Sequence, residues 1–254
     1  MYRSSALFFL FVAAGLPRPV QAQGAFRLGA RLGLNVGASA WTRNQGPSLG
    51  RTVPGLDAGL AAAWTAGRWS LAPALLYSRK GYTTYDESYT PGGSFAGPVR
   101  AVFRNTVRLH YLALPLDLAY ARRADGQGFR VFGGAYVACL LGGRVDSWSA
   151  GPRGSARSSS AVEVGAAVPL GSPATYARRL DYGAQAGVGF RYGPADVRIG
   201  YSLGLANVAS EAPAGGRRSG NVEGGRAGNQ TWQVAVGFWF GRYTGQQARH
   251  GLSR

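Results

Sequence analysis

The chain has 254 residues, of which 40 are glycine, and only 15% are charged against 46% hydrophobic. Lys80 is its only lysine, so arginine supplies almost all of the positive charge behind a formal net charge of +17. A surplus of this size fits nucleic acid or an anionic lipid surface as partner, whereas the single cysteine, Cys139, excludes an internal disulfide.

The first 22 residues have the three parts of an export signal. Arg3 precedes an apolar run from Ala6 to Leu16, and a short segment ending in Ala22 supplies the cleavage site. The run is too short to cross a bilayer as a helix, which needs about 18 apolar residues, and no cysteine lies near the cleavage site to carry a lipid anchor. We therefore expect a signal peptide over residues 1–22. Export argues against a nucleic-acid partner and leaves anionic lipid or glycolipid as the nearer candidate.

The segment from Phe26 to Ala38 alternates between apolar residues and residues that are polar or very small. A period of two predicts a β-strand. A helix would have to accommodate Gly29, Gly33 and Gly37, each at about 1 kcal/mol relative to alanine. That cost excludes the helix.

Seven further segments show an alternating or small-residue-rich pattern, so we predict eight strands in total. They cover residues 26–38, 55–66, 68–80, 108–121, 128–142, 180–192, 195–206 and 231–241. The last strand is rich in aromatic residues, which is the signal that barrel-insertion machinery is expected to recognise.

The connections between these strands are alternately long and short. The long ones cover 39–54, 81–107, 143–179 and 207–230, and the short ones cover 67, 122–127 and 193–194. Outer-membrane barrels have this asymmetry, and strands of about ten residues match a membrane span better than the shorter strands of a soluble sandwich. Aromatic residues near strand ends are interpreted as interfacial girdles: Trp41, Trp64, Trp69, Tyr82, Tyr111, Tyr120, Tyr192, Trp232 and Trp239.

We therefore predict an all-β fold, an eight-stranded antiparallel up-and-down transmembrane β-barrel. Its domain covers residues 23–242 and is followed by a disordered periplasmic tail over 243–254. An even number of strands returns both ends of the chain to one side, so the termini and short turns are expected in the periplasm and the long loops outside the cell. A soluble periplasmic sandwich is the alternative.

Five stretches resemble the PorT-like outer-membrane β-barrel family, a group of small Bacteroidetes-type barrels of the porin family type. They are residues 71–82, 111–120, 132–137, 180–189 and 201–208, in the same order as in the family. The resemblance implies an eight-stranded barrel in the outer membrane. One branch of the family serves protein secretion across that membrane, while most members have no assigned activity. The chain departs from the pattern at Ala74, where relatives often have glutamate, and at Gly200, where arginine is common, so a lumen charge pair is expected to be missing.

The alternation also predicts charged side chains inside the barrel, most of them toward the end with the short turns. They are Arg27, Arg31, Arg130, Arg191 and Arg198 together with Asp57, Asp117, Asp181 and Asp196. Because side chains nearly fill an eight-stranded barrel and an unpaired buried charge is costly, we expect arginine and aspartate to pair. A plug of salt bridges is the favoured interpretation, and a narrow anion path is the alternative.

Catalysis would need a histidine beside a serine or carboxylate, as in lipid A hydrolases or acyltransferases. His110 could meet Asp86, Glu87 or Ser88 from the preceding loop, but no spacing requires it, and His250 lies in the tail. The glycine-rich stretch 183–189 lacks the helix and lysine of a phosphate loop, and its glycines are expected to leave room in the lumen. We predict no catalytic, cofactor-binding or metal-ligating residues, and hence no cofactor.

The expected role is therefore non-enzymatic: structural, adhesive or partner-binding, with a possible link to secretion that only the resemblance implies. Loop residues 143–179 carry five arginines, Arg144, Arg153, Arg157, Arg178 and Arg179, against Asp146 and Glu163. They are interpreted as a solvated loop face, with contact to anionic glycolipid as the alternative. Expected partners are outer-membrane lipid and lipopolysaccharide, the barrel-assembly machinery during insertion, and secretion-system or cell-surface proteins, with no nucleic acid and a monomeric state. A small-anion pore and a lipid A-modifying enzyme are the alternative functions.

Overall fold

The computed structural model describes residues 25–43, 46–49, 51–90, 99–152, 154–165, 175–208 and 226–240. The predicted signal peptide and the predicted tail after residue 242 lie outside these ranges. The described residues form eleven strands: β1 (Ala25–Arg43), β2 (Gly46–Leu49), β3 (Arg51–Ala66), β4 (Trp69–Thr90), β5 (Val99–Ala121), β6 (Gly128–Gly151), β7 (Gly154–Val164), β8 (Thr175–Ala177), β9 (Leu180–Tyr192), β10 (Ala195–Gly204) and β11 (Arg226–Phe240).

Eight of these strands form a closed antiparallel ring. In chain order they are β1, β3, β4, β5, β6, β9, β10 and β11, and each pairs with the next. The ring closes because β1 pairs with β11, with Leu28 opposite Phe240 at one end of the register. Closure leaves the ring without an exposed sheet edge. The predicted eight-stranded up-and-down barrel is confirmed.

One end of the ring, called the turn end here, carries tight connections. Gly67 joins β3 to β4 with a φ of 58°, and Gly193 stands between β9 and β10 with a φ of 59°. Positive φ is the conformation that two-residue hairpin turns require and that glycine adopts without strain. The opposite end, called the loop end, carries the longer connections.

The long connections were predicted as loops, and this was wrong for much of their length. β4 continues to Thr90 and β5 begins at Val99, so most of the predicted loop 81–107 is a hairpin of two long strands. In the predicted loop 143–179, β6 continues to Gly151, β7 pairs with it antiparallel, and the short β8 adds to β7 in parallel. β2 likewise pairs with β1 inside the predicted loop 39–54.

β4, β5 and β6 continue beyond the ring, and β7 pairs with the continued part of β6. We call these continued parts together with β7 the loop-end sheet. A register shift separates it from the barrel: His110 is opposite Gly142, whereas Tyr111 is opposite Leu140, which leaves Leu141 as an extra residue in β6. Such a bulge bends a strand and increases its twist. The sheet therefore changes direction where the ring ends.

The described residues include no helix with the length and hydropathy needed to span a membrane.

Candidate functional site

Charged side chains fill the lumen toward the turn end. Arg130 forms a buried ion pair with Asp196, whose other carboxylate oxygen accepts a hydrogen bond of 2.6 Å from the Trp239 indole. Arg198 pairs with Asp117 at 2.8 Å, and Gln185 donates to the second oxygen of Asp117 at 2.5 Å. The predicted pairing of arginine with aspartate is confirmed at these two sites.

Two other lumen aspartates have partners that the sequence did not predict. Asp57 accepts a hydrogen bond of 2.5 Å from the amide of Asn35. Asp181, which is 0% exposed, lies 3.4 Å from Lys80 and accepts a 2.9 Å hydrogen bond from Asn229. Lys80 was predicted only as the last residue of a strand, although Ala74, Leu76 and Ser78 precede it in the same inward phase. Extending that phase by one step would have placed it in the lumen.

The other predicted lumen arginines make contacts of different kinds. Arg31 donates to Gln233 at 3.3 Å, and the Arg191 guanidinium lies 4.7 Å from the ring centre of Trp239. Arg27 is half-buried near the turn end. In the described lumen the cations Arg31, Lys80, Arg130, Arg191 and Arg198 face the aspartates Asp57, Asp117, Asp181 and Asp196.

Buried apolar and aromatic side chains pack around the Lys80–Asp181 pair in the loop-end part of the lumen, where Lys80 Nζ lies 4.6 Å from the ring centre of Tyr136. They form one cluster, called the apolar layer here, of Tyr82, Val107, Leu109, Tyr111, Ala113, Tyr136, Ala138, Leu140, Val145, Val162, Ala177 and Val208. Tyr82 and Tyr111, with 6% and 0% exposure, were predicted to form part of a girdle, and that prediction was wrong. Trp239 is likewise buried in the lumen at 7%, while the side chain of Trp41 lies outside the described residues.

The glycine-rich stretch 183–189 lies within β9, as predicted, and makes room in the lumen. A Cβ added at Gly187 would lie 2.5 Å from the Phe132 ring, and one added at Gly200 would lie 3.0 Å from it. Phe132 in turn packs under the Arg198 guanidinium, 3.8 Å from the ring centre. At Ala74, the other departure from the resembled pattern, the side chain packs in a small apolar cluster with Trp239. Two aromatic rings, those of Phe132 and Trp239, therefore occupy space near the positions where the resembled family often has charged residues.

His110 is not brought together with its predicted catalytic partners. Its Nδ1 atom lies 2.5 Å from the Tyr77 hydroxyl. Asp86 is opposite Phe103, and the seven residues from Phe103 to His110 correspond to about 23 Å along a strand. Glu87 instead makes two hydrogen bonds with Arg100, which lower the pKa of this carboxyl. Among the described residues no group of histidine, cysteine, aspartate and glutamate could hold a metal ion.

Of the arginines predicted as a loop face, Arg153 lies outside the described residues, and the other four lie on or beside the loop-end sheet. Arg144 and Asp146 belong to β6, and Arg157 belongs to β7. Asp146 accepts a 2.8 Å hydrogen bond from the Ser159 hydroxyl and forms an ion pair with Arg108. The hydrogen bond from Ser159, followed by that from Arg108, lowers the pKa of Asp146 below its ordinary value.

A family model described as "Outer membrane protein beta-barrel domain" matches residues 21–210. The chain belongs to this family. The match covers well over half of the sequence and ends before β11, which completes the ring. No curated protein matches the chain.

Solved structures similar to this outer membrane protein β-barrel are very distant in sequence. Ail, the attachment invasion locus protein of Yersinia pestis in complex with the heparin analogue sucrose octasulfate, is 10% identical, with a TM-score of 0.39 over 85% of this chain and 99% of that chain. A second structure of Ail has a TM-score of 0.37 at 10% identity, over 84% and 98%. The TodX deltaS2S3 mutant, a monoaromatic hydrocarbon channel, has a TM-score of 0.24 at 9% identity, over 84% and 90%.

Family membership assigns a role to the outward face of the ring. On β5, the outward side chains Leu112, Leu114, Leu116 and Leu118 are 42–55% exposed, an arrangement that suits contact with lipid rather than water. Trp69 and Tyr120 pack edge to face at the turn end of this band, and Tyr77 stacks on His110 at the other. Tyr120 to His110 spans about the nine to eleven residues that a membrane strand needs. This outer membrane barrel thus has an apolar wall bounded by aromatic residues.

Proposed function

We propose that this chain is a non-enzymatic, non-conducting outer-membrane barrel with a structural and partner-binding role. The observation that carries the proposal is the filled lumen. Ion pairs and aromatic rings occupy the turn-end half, and the apolar cluster around Tyr111 and Tyr136 packs around the Lys80–Asp181 pair in the loop-end half. Two internal voids that the described residues line, one beside Lys80 and one beside Trp239, hold about 20 Å³ each. A void of that size accepts about one water molecule.

The loop-end sheet is the surface that would meet a partner. It projects beyond the ring, carries polar and charged side chains, and is built from long paired strands rather than loose loops. The even number of ring strands supports an orientation with the turn end and both termini in the periplasm and the loop-end sheet outside the cell.

A role as an accessory of protein secretion is the finer form of this proposal. It is supported by the resemblance to the PorT-like family, one branch of which serves protein secretion; the resembling stretches extend from β4 to β10. An affinity pull-down from cross-linked cells tests it, because a secretion accessory should recover components of that machinery with the barrel. Recovery of assembly factors alone would contradict it.

The main rival is a narrow pore for small anions, which the arginines that line the lumen favour. We expect no steady conductance from the refolded protein in planar bilayers, because the two lumen voids lined by described residues have room for about one water molecule each. The double variant Tyr111→Ala with Tyr136→Ala removes two large side chains from the apolar layer and should give measurable currents. Leu114→Ala, which changes only the outer wall, should give no measurable current.

Steady anion-selective currents from the unmodified barrel would contradict the proposal. Heat-modifiable migration on a gel shows that each variant is folded before its currents are recorded. A double variant that is folded and equally silent would also count against the apolar layer as the seal.

A further inference from the structure

A cavity of about 710 Å³ lies on the outward face of the loop-end sheet, across β5, β6 and β7. We call it the arginine pocket. Its main charged and aromatic lining residues are Arg104, Arg108, Asp146, Trp148 and Arg157. Three arginines against one aspartate give the pocket two net positive charges.

Strand register explains why these side chains share one face. Arg104 is opposite Trp148, and Trp148 is opposite Arg157, so the three form a row across the sheet. In the next row Asp146 is opposite Ser159. Residues that alternate with these, such as Val107 and Val145, face inward and belong to the buried apolar layer.

The charges of the pocket are only partly compensated within the protein. Asp146 forms an ion pair with Arg108 and accepts a hydrogen bond from the Ser159 hydroxyl. Arg104 lies 5.6 Å from the ring centre of Tyr85, and Arg157 is exposed. Neither has a carboxylate partner among the described residues. Two guanidinium groups on either side of Trp148 are therefore free to bind an external anion, and arginine is well suited to phosphate oxygens because its donors form a planar fork.

The position of the pocket indicates which anion it meets. Going along the outward face of β5, Arg108 follows His110, and Leu112 and Leu114 of the apolar wall lie directly beyond. Four residues from Leu112 to Arg108 correspond to about 13 Å. Arg108 is two residues from His110, about 7 Å along the strand, and Arg104 is six residues from it, about 20 Å. The pocket therefore begins at the aromatic boundary of the wall and extends outward from it, over the depth of a glycolipid headgroup with its sugars.

We infer that the arginine pocket binds the phosphate groups of an anionic glycolipid of the outer leaflet, with the acyl chains against the apolar wall of β4, β5 and β6. The inference rests on the orientation given under the proposed function, in which the loop end faces outward. A pocket that faced a soluble partner alone would not need to be continuous with the lipid-facing side chains.

Binding is tested with the refolded protein in an uncharged detergent, by counting bound molecules with native mass spectrometry. The probes are lipid A with its phosphates, the same lipid A after removal of its phosphates, and inorganic phosphate. We expect lipid A to bind, the dephosphorylated lipid to bind at least roughly tenfold more weakly, and inorganic phosphate to compete only at high concentration, because charge-assisted hydrogen bonds dominate the contact.

Variants connect this binding to the pocket. The double variant Arg104→Gln with Arg157→Gln should lower lipid A affinity by roughly tenfold or more. Asp146→Asn removes the internal counter-ion and should raise it. The matched control, Arg122→Gln with Arg123→Gln, makes the same change of charge at two exposed positions of the turn end and should leave affinity unchanged.

Three outcomes overturn the inference: equal binding of dephosphorylated lipid A, an Arg104 and Arg157 double variant that binds like the unmodified barrel, or Arg-dependent capture of a soluble sulfated polysaccharide with no preference for lipid A. Conductance and cell-surface labelling test the proposed function separately. If the barrel does not conduct and has its loop end outside the cell but does not bind lipid A, the result refutes this inference and leaves the proposed function standing.

Discussion

Asp196 shows at the scale of one residue how the lumen charges depend on each other. One carboxylate oxygen pairs with Arg130 and the other accepts the Trp239 indole hydrogen bond. Gly237 makes the arrangement possible, because a Cβ there would lie 2.2 Å from the carboxylate. Asp196→Ala should therefore destabilise the folded barrel by about 3–5 kcal/mol, since it leaves a buried guanidinium without its partner. Urea unfolding in detergent micelles measures the change.

Glu163→Ala is the matched control for Asp196→Ala, because it removes an exposed carboxylate of β7. It should change the free energy of unfolding by less than about 0.5 kcal/mol. Equal changes in the free energy of unfolding for the two substitutions would show that the buried ion pair contributes no more to stability than an exposed carboxylate does.

At the scale of elements, the ring and the loop-end sheet carry separate tasks. The ring pairs β6 with β9 only from Gly128 to Cys139, whereas β7 pairs with β6 only from Gly143 onward. Replacing residues 147–158 by Asn-Gly should thus preserve the barrel, because Asp146 and Ser159 are direct partners that a two-residue turn can join. We expect unchanged heat-modifiable migration and loss of lipid A binding, since Trp148 and Arg157 are removed.

A glycine-serine linker of the original length over 147–158 serves as the control for chain length. It should behave like the shortened hairpin in both assays. Failure of both variants to fold would mean that the loop-end sheet is part of the folding unit rather than an addition to it.

At the scale of the whole molecule, the two ends of the barrel should face different compartments. In a Cys139→Ala background, Ser155→Cys places a thiol on the exposed start of β7, and Ala124→Cys places one in the turn between β5 and β6. A membrane-impermeant maleimide should label the first in intact cells and the second only after the outer membrane is opened. The opposite pattern would invert the proposed orientation.

The ring could be predicted from the sequence because each spanning strand needs one apolar face against lipid. The predicted bounds 180–192 agree with β9 at both ends, where Asp181 begins an inward series and Gly193 forces a turn. The loop-end sheet was missed because its strands have little apolar periodicity. A segment such as Gly154–Val164, rich in serine and arginine, becomes a strand only by pairing with β6.

The chain by itself determined its strand phase and the sorting of apolar and charged side chains onto opposite faces, because these depend on neighbours two positions apart. The export signal over residues 1–22 stays a prediction. Only the tertiary structure decided which charges meet. Arg130 and Asp196 are 66 residues apart, and Lys80 and Asp181 are 101 apart, and no local pattern relates them. Ring closure brings them together, while the pairing of β5 and of β7 with β6 places Arg104 and Arg157 on either side of Trp148.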